Sequence, residues 1–335
     1  MKTVYSRNVN EAYVIGMNML SAFGVKEESR FGSVLVMNDP VTTTYTNPNE
    51  RVLFDGKRDC NPFFHLMEAL WMMQGRNDVA WIEDFSSTIG QFSDNGVNFN
   101  AAYGHRWKSH FELDQITLII KELKENPNSR RAVMGMWDPR VDLNKKGKDF
   151  PCNLAISFRA QNGNLDMTVF NRSNDIIWGA YGANAVHMSI LQEYIAACLE
   201  LRLGKYHQVS NNYHAYINIM AKIGIPDPMP FDLYKIGQVR TFPLVDNPEY
   251  WMEDLNTFIE LIPGAAPSYI NSFFAHVAEP MRRSWGWYKQ KDYPGALAMA
   301  DEIVAADWKL ACHQWLTRRF EKHGRKKQVH TIAED

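Results

Sequence analysis

The fold of this chain is decided by residues 151–175, which read PCNLAISFRAQNGNLDMTVFNRSND. From Leu154 to Phe158, apolar side chains alternate with small or polar ones, which predicts a strand with one buried face. Asn162-Gly163 is typical of a tight hairpin turn, so a second strand is expected from Leu165 to Asn171. The stretch therefore predicts an antiparallel hairpin inside a sheet.

Helical and extended patterns surround this hairpin on both sides. They predict helices over Phe63–Gln74 (ending at Gly75), Ala185–Leu203 (ending at Gly204) and Leu297–Trp315, and strands over Arg131–Trp137 and Tyr206–Ile217. The predicted class is α+β, with one main sheet packed by helices. Residues 1–243 are expected to form the main domain, and residues 244–335 a helical C-terminal extension packed on it.

The composition is that of an ordinary globular protein. The 335 residues include 36 Lys and Arg against 38 Asp and Glu, so the formal net charge of −2 gives no global attraction to nucleic acid or to an anionic membrane. No apolar run reaches the ~18–20 residues of a membrane span, and none follows the N-terminus as in a signal peptide. Four widely spaced cysteines argue against a disulfide framework and a zinc site. A cytoplasmic protein without a bound metal is expected.

Cys152 is the candidate nucleophile. It shares strand parity with the apolar row from Leu154 to Phe158, so its plain interpretation is a core cysteine. Against this, Arg130-Arg131 and Arg172 are near it in sequence, and a guanidinium close to a thiol lowers the pKa of that thiol. The residues alone leave both interpretations open.

Three further groups of polar residues have a functional and a structural interpretation. Arg172-Ser173 suits a phosphate oxygen, or is a surface pair in which Arg172 binds Asp175. Glu68 lies on an apolar helix face, where burial would raise the pKa of its carboxyl and suit it for proton transfer, or it is an edge residue paired with a cation. His214 and Tyr216 point to one face of a strand and would hold a sugar hydroxyl, or form a solvated polar pair.

Together these segments resemble the thymidylate synthase and pyrimidine hydroxymethylase superfamily. The matching segments occur in family order at residues 29–32 (SRFG), 67–75 (MEALWMMQG), 102–107 (AYGHRW), 126–131 (NPNSRR), 151–152 (PC), 171–175 (NRSND) with Gly179, and 212–216 (NYHAY). The cysteine segment and the Arg-Ser-x-Asp segment are the most specific of these. The resemblance implies a thymidylate synthase-like fold and a sheet-to-sheet homodimer with shared active sites.

The resemblance also implies a chemistry. Thiolate addition at C6 of a pyrimidine nucleoside monophosphate makes C5 nucleophilic toward the one-carbon unit of 5,10-methylenetetrahydrofolate. Cys152 would be the nucleophile, Glu68 with ordered water would carry protons, and Tyr103 would help to remove the C5 proton. The implied ligands are Arg30, Arg172, Ser173 and, from the second subunit, Arg130 and Arg131 for the phosphate, His214 and Tyr216 for the 3′-hydroxyl, Asn184 for the base, and Asp175 and Gly179 for the folate.

Three departures from the synthase pattern favour hydroxymethylation over methylation. Asn153 stands where synthases usually have His, and residues 87–92 (STIGQF) lack the tryptophan that packs on folate in synthases. A C-terminal extension ending at residues 331–335 replaces the short tail that closes over folate. Each change would loosen the dry lid that hydride transfer needs, so water would convert the exocyclic methylene to a hydroxymethyl group.

Asn184 is the residue that would read the base, and it favours uracil. A flipped amide would serve cytosine equally, since it can donate to N3 and accept from the amino group. Asn153 and one extra residue before Asn184 weaken the preference.

The sequence therefore predicts a folate-dependent enzyme that hydroxymethylates dUMP, with dCMP or CMP hydroxymethylation and dTMP synthesis as alternatives. An alternative of a different class is a homologue that has lost catalysis and binds nucleic acid or a partner protein through a basic cluster near the C-terminus. The structural interpretation of that cluster is a solvated helix end. Its residues are Arg318, Arg319, Lys322, Arg325, Lys326 and Lys327. A cysteine hydrolase would need a histidine beside Cys152, and His187 or His214 would have to approach in space.

Overall fold

A computed structural model describes residues 1–227, 232–261 and 266–332, with side chains described as far as His323. The strands are β1 (Lys2–Ser6), β2 (Val25–Ser29), β3 (Gly32–Val36), β4 (Val41–Tyr45), β5 (Val133–Gly135), β6 (Asn153–Gln161), β7 (Asn164–Asn171), β8 (Asn174–Asp175), β9 (Arg202–Ser210) and β10 (Tyr213–Tyr216). Among the described residues, no helix has both the length and the apolar character that crossing a bilayer requires.

The helices surround the sheets. They are α1 (Val9–Phe23), α2 (Pro62–Gln74), α3 (Val79–Glu83), α4 (Tyr103–Lys108), α5 (Gln115–Glu125), α6 (Pro139–Asp142), α7 (Asn184–Cys198), α8 (Ile217–Ile223), α9 (Trp251–Ile259), α10 (Glu279–Lys289), α11 (Tyr293–Asp301) and α12 (Ala306–Ile332). A 3₁₀ turn spans Ile89–Phe92, and wide helical turns span Ile176–Ala183 and Phe274–Ala278.

The strands form two sheets. The larger has the order β1-β4-β9-β7-β6-β5 and is mixed, because β1 runs parallel to β4 and β7 parallel to β9 while its other pairs are antiparallel. The smaller has the order β2-β3-β10-β8. The α+β class with a mixed sheet packed by helices is confirmed, and the smaller sheet is an addition that the sequence patterns did not indicate.

The predicted helix around Glu68 is confirmed almost to the residue. Asn61 caps the amide of Phe64, Pro62 occupies the first turn, and Gly75 ends the helix in the left-handed region at φ 87°. On its far side, the ring of Phe63 lies 5.5 Å from Trp285 and 5.7 Å from Trp315, centroid to centroid. The helices beyond residue 243 thus press on α2, while a division of domains at that residue stays a prediction.

Two predicted boundaries around β9 are wrong. The helix expected over Ala185–Leu203 ends at Cys198, since Glu200 takes a positive φ of 54° and turns the chain into β9. Gly204 is not a helix stop but a strand glycine beside a register shift, where a Cβ would lie 2.2 Å from Asp166 Oδ1. The strand expected over Tyr206–Ile217 is interrupted at residues 211–212 and belongs to two different sheets.

The remaining differences are shorter elements. The strand expected over Arg131–Trp137 is reduced to Val133–Gly135, and the helix expected over Leu297–Trp315 is broken between Asp301 and Ala306. Arg318 and Arg319 are not simply solvated, because both bind Asp59.

Candidate active site

A cavity of about 770 Å³ lies between the edge of the large sheet, the small sheet and helix α2. Most of the residues singled out in the sequence line it: Arg30, Glu68, Tyr103, Cys152, Arg172, Ser173, Asp175, Asn184, His214 and Tyr216. Their positions span almost two hundred residues of sequence, so the fold and not local sequence brings them together. Their roles in chemistry stay predictions.

A β-bulge turns Cys152 toward this cavity. The pairing of β6 with β7 shifts register between Asn153 and Ala155, so Leu154 is the extra residue. The extra residue reverses the parity, and Asn153 joins Ile156 on the fully buried inner face. The sequence argument that placed Cys152 in one buried row with Ile156 is therefore wrong, and Cys152 faces the cavity instead.

The thiol of Cys152 is held by opposing effects. Burial raises the pKa of the thiol above its usual value, and the Arg172 guanidinium and a hydrogen bond with Tyr103 offset only part of that rise. Burial holds the pKa of the Tyr103 phenol well above its usual value, so Tyr103 stays protonated and able to donate. The thiol and the phenol thus form one unit, with the positive charge of Arg172 favouring the thiolate.

Glu68 faces the cavity from the middle of α2 together with Trp71 and Met72, as the helical spacing predicts. Its carboxylate contacts His187, whose Nε2 lies 3.0 Å from Glu68 Oε2 in an orientation that is not a hydrogen bond. His187 is 2% exposed, and neither of its ring nitrogens has a hydrogen-bond partner within the described residues. A buried imidazole with free nitrogens beside a carboxylate is suited to hold a water or a ligand group.

The basic end of the cavity contains Arg30, Arg172 and Ser173. Arg172 Nε donates to the carbonyl of Pro151 at 2.9 Å and Nη2 to that of Phe150 at 3.4 Å, so Arg172 braces the approach to Cys152 and does not bind Asp175. Its Nη1 makes no hydrogen bond in the part of the chain that the structure describes. Arg30 is exposed and donates to the carbonyl of Gly147 at 2.7 Å.

Arg130 and Arg131 lie on the surface before β5 and do not line this chain's cavity. Arg131 binds Glu122 at 2.9 Å, and the Arg131 side chain stays 79% exposed. Their proposed service to a second subunit therefore stays a prediction.

The small sheet supplies the next wall. His214 and Tyr216 lie on one face of β10 with ring centroids 5.8 Å apart, and His214 Nδ1 is buried without a partner among the described residues. Asp175 accepts the amides of Ile177 and Trp178 through Oδ1. Its Oδ2 is buried without a hydrogen-bond partner there, and burial raises the pKa of this carboxyl. An unpaired carboxyl oxygen in a cavity is an acceptor available to a ligand.

Asn184, the first residue of α7, lines the cavity. Its Nδ2 donates to Asn174 Oδ1 at 3.2 Å, so the amide has a defined orientation. Gly179 is not a lining residue but lies behind this contact. Asn153 also lies off the cavity wall, fully buried, and both polar atoms of its side chain lack a partner within the described residues.

Sequence reasoning missed His187 as a neighbour of Glu68 and considered it only as a partner for Cys152. The available signal was its spacing, since His187 follows Asn184 by three residues on one helix and shares its face. In place of the tryptophan that residues 87–92 lack, Ile89 and Phe92 form the apolar wall together with Ile82. Within the described residues, no three His, Cys, Asp or Glu side chains are arranged to hold a metal ion.

Comparisons with known proteins identify the family of the chain. Residues 24–225 match the family model of thymidylate synthase. The chain is 46% identical to a deoxyuridylate hydroxymethyltransferase of Pseudomonas phage M6 in an alignment of 334 positions that covers 95% of each chain. It is 40% identical over 190 residues to the enzyme of that name from Bacillus phage SP01, covering 53% of this chain and 50% of the relative. The resemblance is thereby confirmed, and the chain belongs to the thymidylate synthase family.

Proposed function

We propose that this protein is a deoxyuridylate hydroxymethyltransferase, an enzyme that converts dUMP to 5-hydroxymethyl-dUMP with 5,10-methylenetetrahydrofolate. The observation that carries the proposal is one cavity in which Cys152, Tyr103 and Glu68 lie beside the base-reading amide of Asn184. The relative that matches 95% of the chain bears the name of this activity. Four free cysteines suit the reducing cytoplasm in which we place it.

The residues present fit a folate. Asp175 Oδ2 is a buried acceptor without a partner among the described residues, as the ring nitrogens of a pteridine require, and Ile82, Ile89 and Phe92 offer an apolar wall. When bound, methylenetetrahydrofolate supplies the one-carbon unit at the oxidation level of formaldehyde.

Activation of the pyrimidine falls to Cys152. Its thiolate would add to C6 of the base, which makes C5 nucleophilic, and Arg172 favours the anionic sulfur. Tyr103, which is hydrogen-bonded to Cys152, would help to remove the C5 proton through an ordered water. The phenol would not take that proton directly, because its raised pKa keeps it protonated. Elimination of the thiolate from C6 later restores the aromatic ring.

Once C5 has lost its proton and taken the one-carbon unit with release of tetrahydrofolate, water must bond to the exocyclic carbon before the thiolate is eliminated from C6. The Glu68–His187 pair faces the cavity from the side of α2. A water on the cavity side of this pair, hydrogen-bonded to the carboxylate or the imidazole, would lose its proton to the pair as its oxygen bonds to that carbon. The buried and otherwise unsatisfied nitrogens of His187 support this placement.

The phosphate end supports the predicted homodimer. Among the described residues, Arg30 and Arg172 are the arginines that line the cavity, with Lys148 as a further cation, while Arg130-Arg131 is exposed elsewhere on the surface. We infer that a twofold dimer carries the pair across to the other subunit's cavity, because an isologous interface places each copy's arginines at its partner's site.

The test is incubation of the purified protein with dUMP, dCMP or CMP, each with methylenetetrahydrofolate, followed by mass detection of the nucleotide. The expected product is 5-hydroxymethyl-dUMP with release of tetrahydrofolate. Formation of dTMP with dihydrofolate absorbance would show a synthase instead, and preferential turnover of dCMP or CMP would show a different base or sugar specificity.

A further inference from the structure

A line of buried amides runs from the cavity to the backbone behind it. Asn184 Nδ2 donates to Asn174 Oδ1 at 3.2 Å, and Asn174 Nδ2 donates at 3.0 Å both to Gln208 Oε1 and to Ser210 Oγ. Gln208 Nε2 then donates to the carbonyl oxygen of Ala180 at 3.0 Å. Asn184 is 7% exposed, Asn174 2%, Ser210 1% and Gln208 0%, so water does not compete for these contacts.

The orientation of each amide in this line is fixed by the backbone carbonyl of Ala180, at the end farthest from the cavity. The carbonyl of Ala180 can only accept, and it also accepts the Tyr45 hydroxyl at 2.9 Å. Gln208 must therefore turn its amino group to Ala180 and its oxygen to Asn174. Asn174 must in turn present its oxygen to Asn184. A flipped Asn184 would place two carbonyl oxygens against each other in a buried site, which is costly.

Gly179 leaves the room that this line needs. A Cβ on Gly179 would lie 2.9 Å from Asn174 Oδ1 and 3.3 Å from Asn184 Nδ2. Any side chain there would press on the contact between the two asparagines. The close approach of backbone to these amides is thus part of how the orientation of Asn184 is held.

We propose that Asn174 and Gln208 are positioning residues that make the enzyme specific for uracil by preventing Asn184 from flipping. This proposal rests on the proposed function, and it specifies uracil as the base that the cavity accepts. Held in this orientation, Asn184 directs its oxygen to the N3–H of uracil and its second amino hydrogen to O4. Cytosine in the same pose meets acceptor against acceptor at N3 and donor against donor at its amino group.

The test compares Asn174→Leu with Asn174→Asp and measures kcat/KM for dUMP and for dCMP. Leucine removes the acceptor that anchors Asn184, so the dUMP to dCMP preference is expected to fall about tenfold or more. Aspartate keeps an acceptor facing Asn184, so the preference is expected to hold even if the loss of donors to Gln208 and Ser210 lowers thermal stability.

Asn171→Leu is the matched control. Asn171 is an asparagine of matching 2% exposure at the end of β7 in the larger sheet, three residues before Asn174, but its hydrogen bonds run to the carbonyls of Val169 and Val209 and not to Asn184. It is expected to lose stability while the preference stays unchanged. A merely structural role of Asn174 would lower the rates with both nucleotides in proportion.

Binding constants for dUMP and dCMP without folate provide a second measurement that does not depend on turnover. An unchanged preference in folded Asn174→Leu, by both rate and binding, overturns the proposal. If the wild-type protein converts neither nucleotide, the proposed function fails, and a binding preference for dUMP that disappears in Asn174→Leu would still support the amide line.

Discussion

The two ends of the cavity are built in opposite ways. At the base end, Asn184 is buried and its orientation is fixed by Asn174 and Gln208, two amides from distant strands. At the phosphate end, Arg30 is exposed, and its Nη1 donates a hydrogen bond to the carbonyl of Gly147. In the proposed enzyme, one chain would preorganise base recognition and chemistry, and the proposed second copy would complete phosphate binding.

The largest loss of activity is expected from a substitution at the base end of the cavity, which residues of a single chain form. Cys152→Ala removes the only proposed nucleophile, so release of tritium from C5 of labelled dUMP should fall at least ~1000-fold. Cys198→Ala, which changes a half-buried free cysteine away from the cavity, is the control and should leave the rate intact. Undiminished release in Cys152→Ala would show that the cavity's chemistry does not begin at this sulfur.

A smaller effect is expected from His187→Gln, which removes a proton acceptor but keeps a polar side chain. Formation of the hydroxymethyl product should fall about 100-fold, as for loss of one general base. Release of C5 tritium should fall less, because that step is assigned to Cys152 and Tyr103. Equal losses in both measurements would place His187 in substrate binding and not in the water step.

The phosphate end is tested by complementation between subunits. The double variant Arg130→Ala, Arg131→Ala should raise the KM for dUMP about tenfold or more, since two charged donors are lost. Mixed and refolded with Cys152→Ala and assayed at dUMP far below its KM, it should regain about one quarter of wild-type activity, because half of the dimers are mixed and each has one intact site. No recovery on mixing would show that each chain completes its own phosphate site.

Local features of the fold were predictable from sequence, and long-range ones were not. The Asn162-Gly163 turn and the capped helix from Pro62 to Gly75 are decided by neighbours within a few residues, and both occur as expected. The bulge at Leu154 depends on how β6 pairs with β7, so strand parity placed Cys152 on the wrong face.

The amide line shows the same limit at the site. Asn174 and Gln208 are 34 residues apart, and the second interacts with Asn184 only through the first. Sequence identified Asn184 and left its orientation open between uracil and cytosine. The carbonyl of Ala180, a backbone atom that carries no sequence signal, is what fixes it.

The smallest expected effect is one on stability, at Asp307 in the helical C-terminal region, away from both ends of the cavity. Burial raises the pKa of this carboxyl to about 6, and its Oδ2 accepts the Tyr234 hydroxyl at 3.0 Å. Because the folded state binds this proton more tightly than the unfolded state, the contribution of Asp307 to stability is greatest below pH ~4 and falls as the pH rises through about 6.

Asp307→Asn removes this titration while keeping the shape of the side chain. The variant should gain about 2–3 kcal/mol relative to wild type between pH 4 and pH 7, measured as the difference in urea unfolding free energy at each pH. Activity per folded molecule should not change, since Asp307 does not line the cavity. A stability difference that is the same at every pH would mean that Asp307 does not titrate in this range, and a loss of activity would show that the C-terminal helices act on the site through α2.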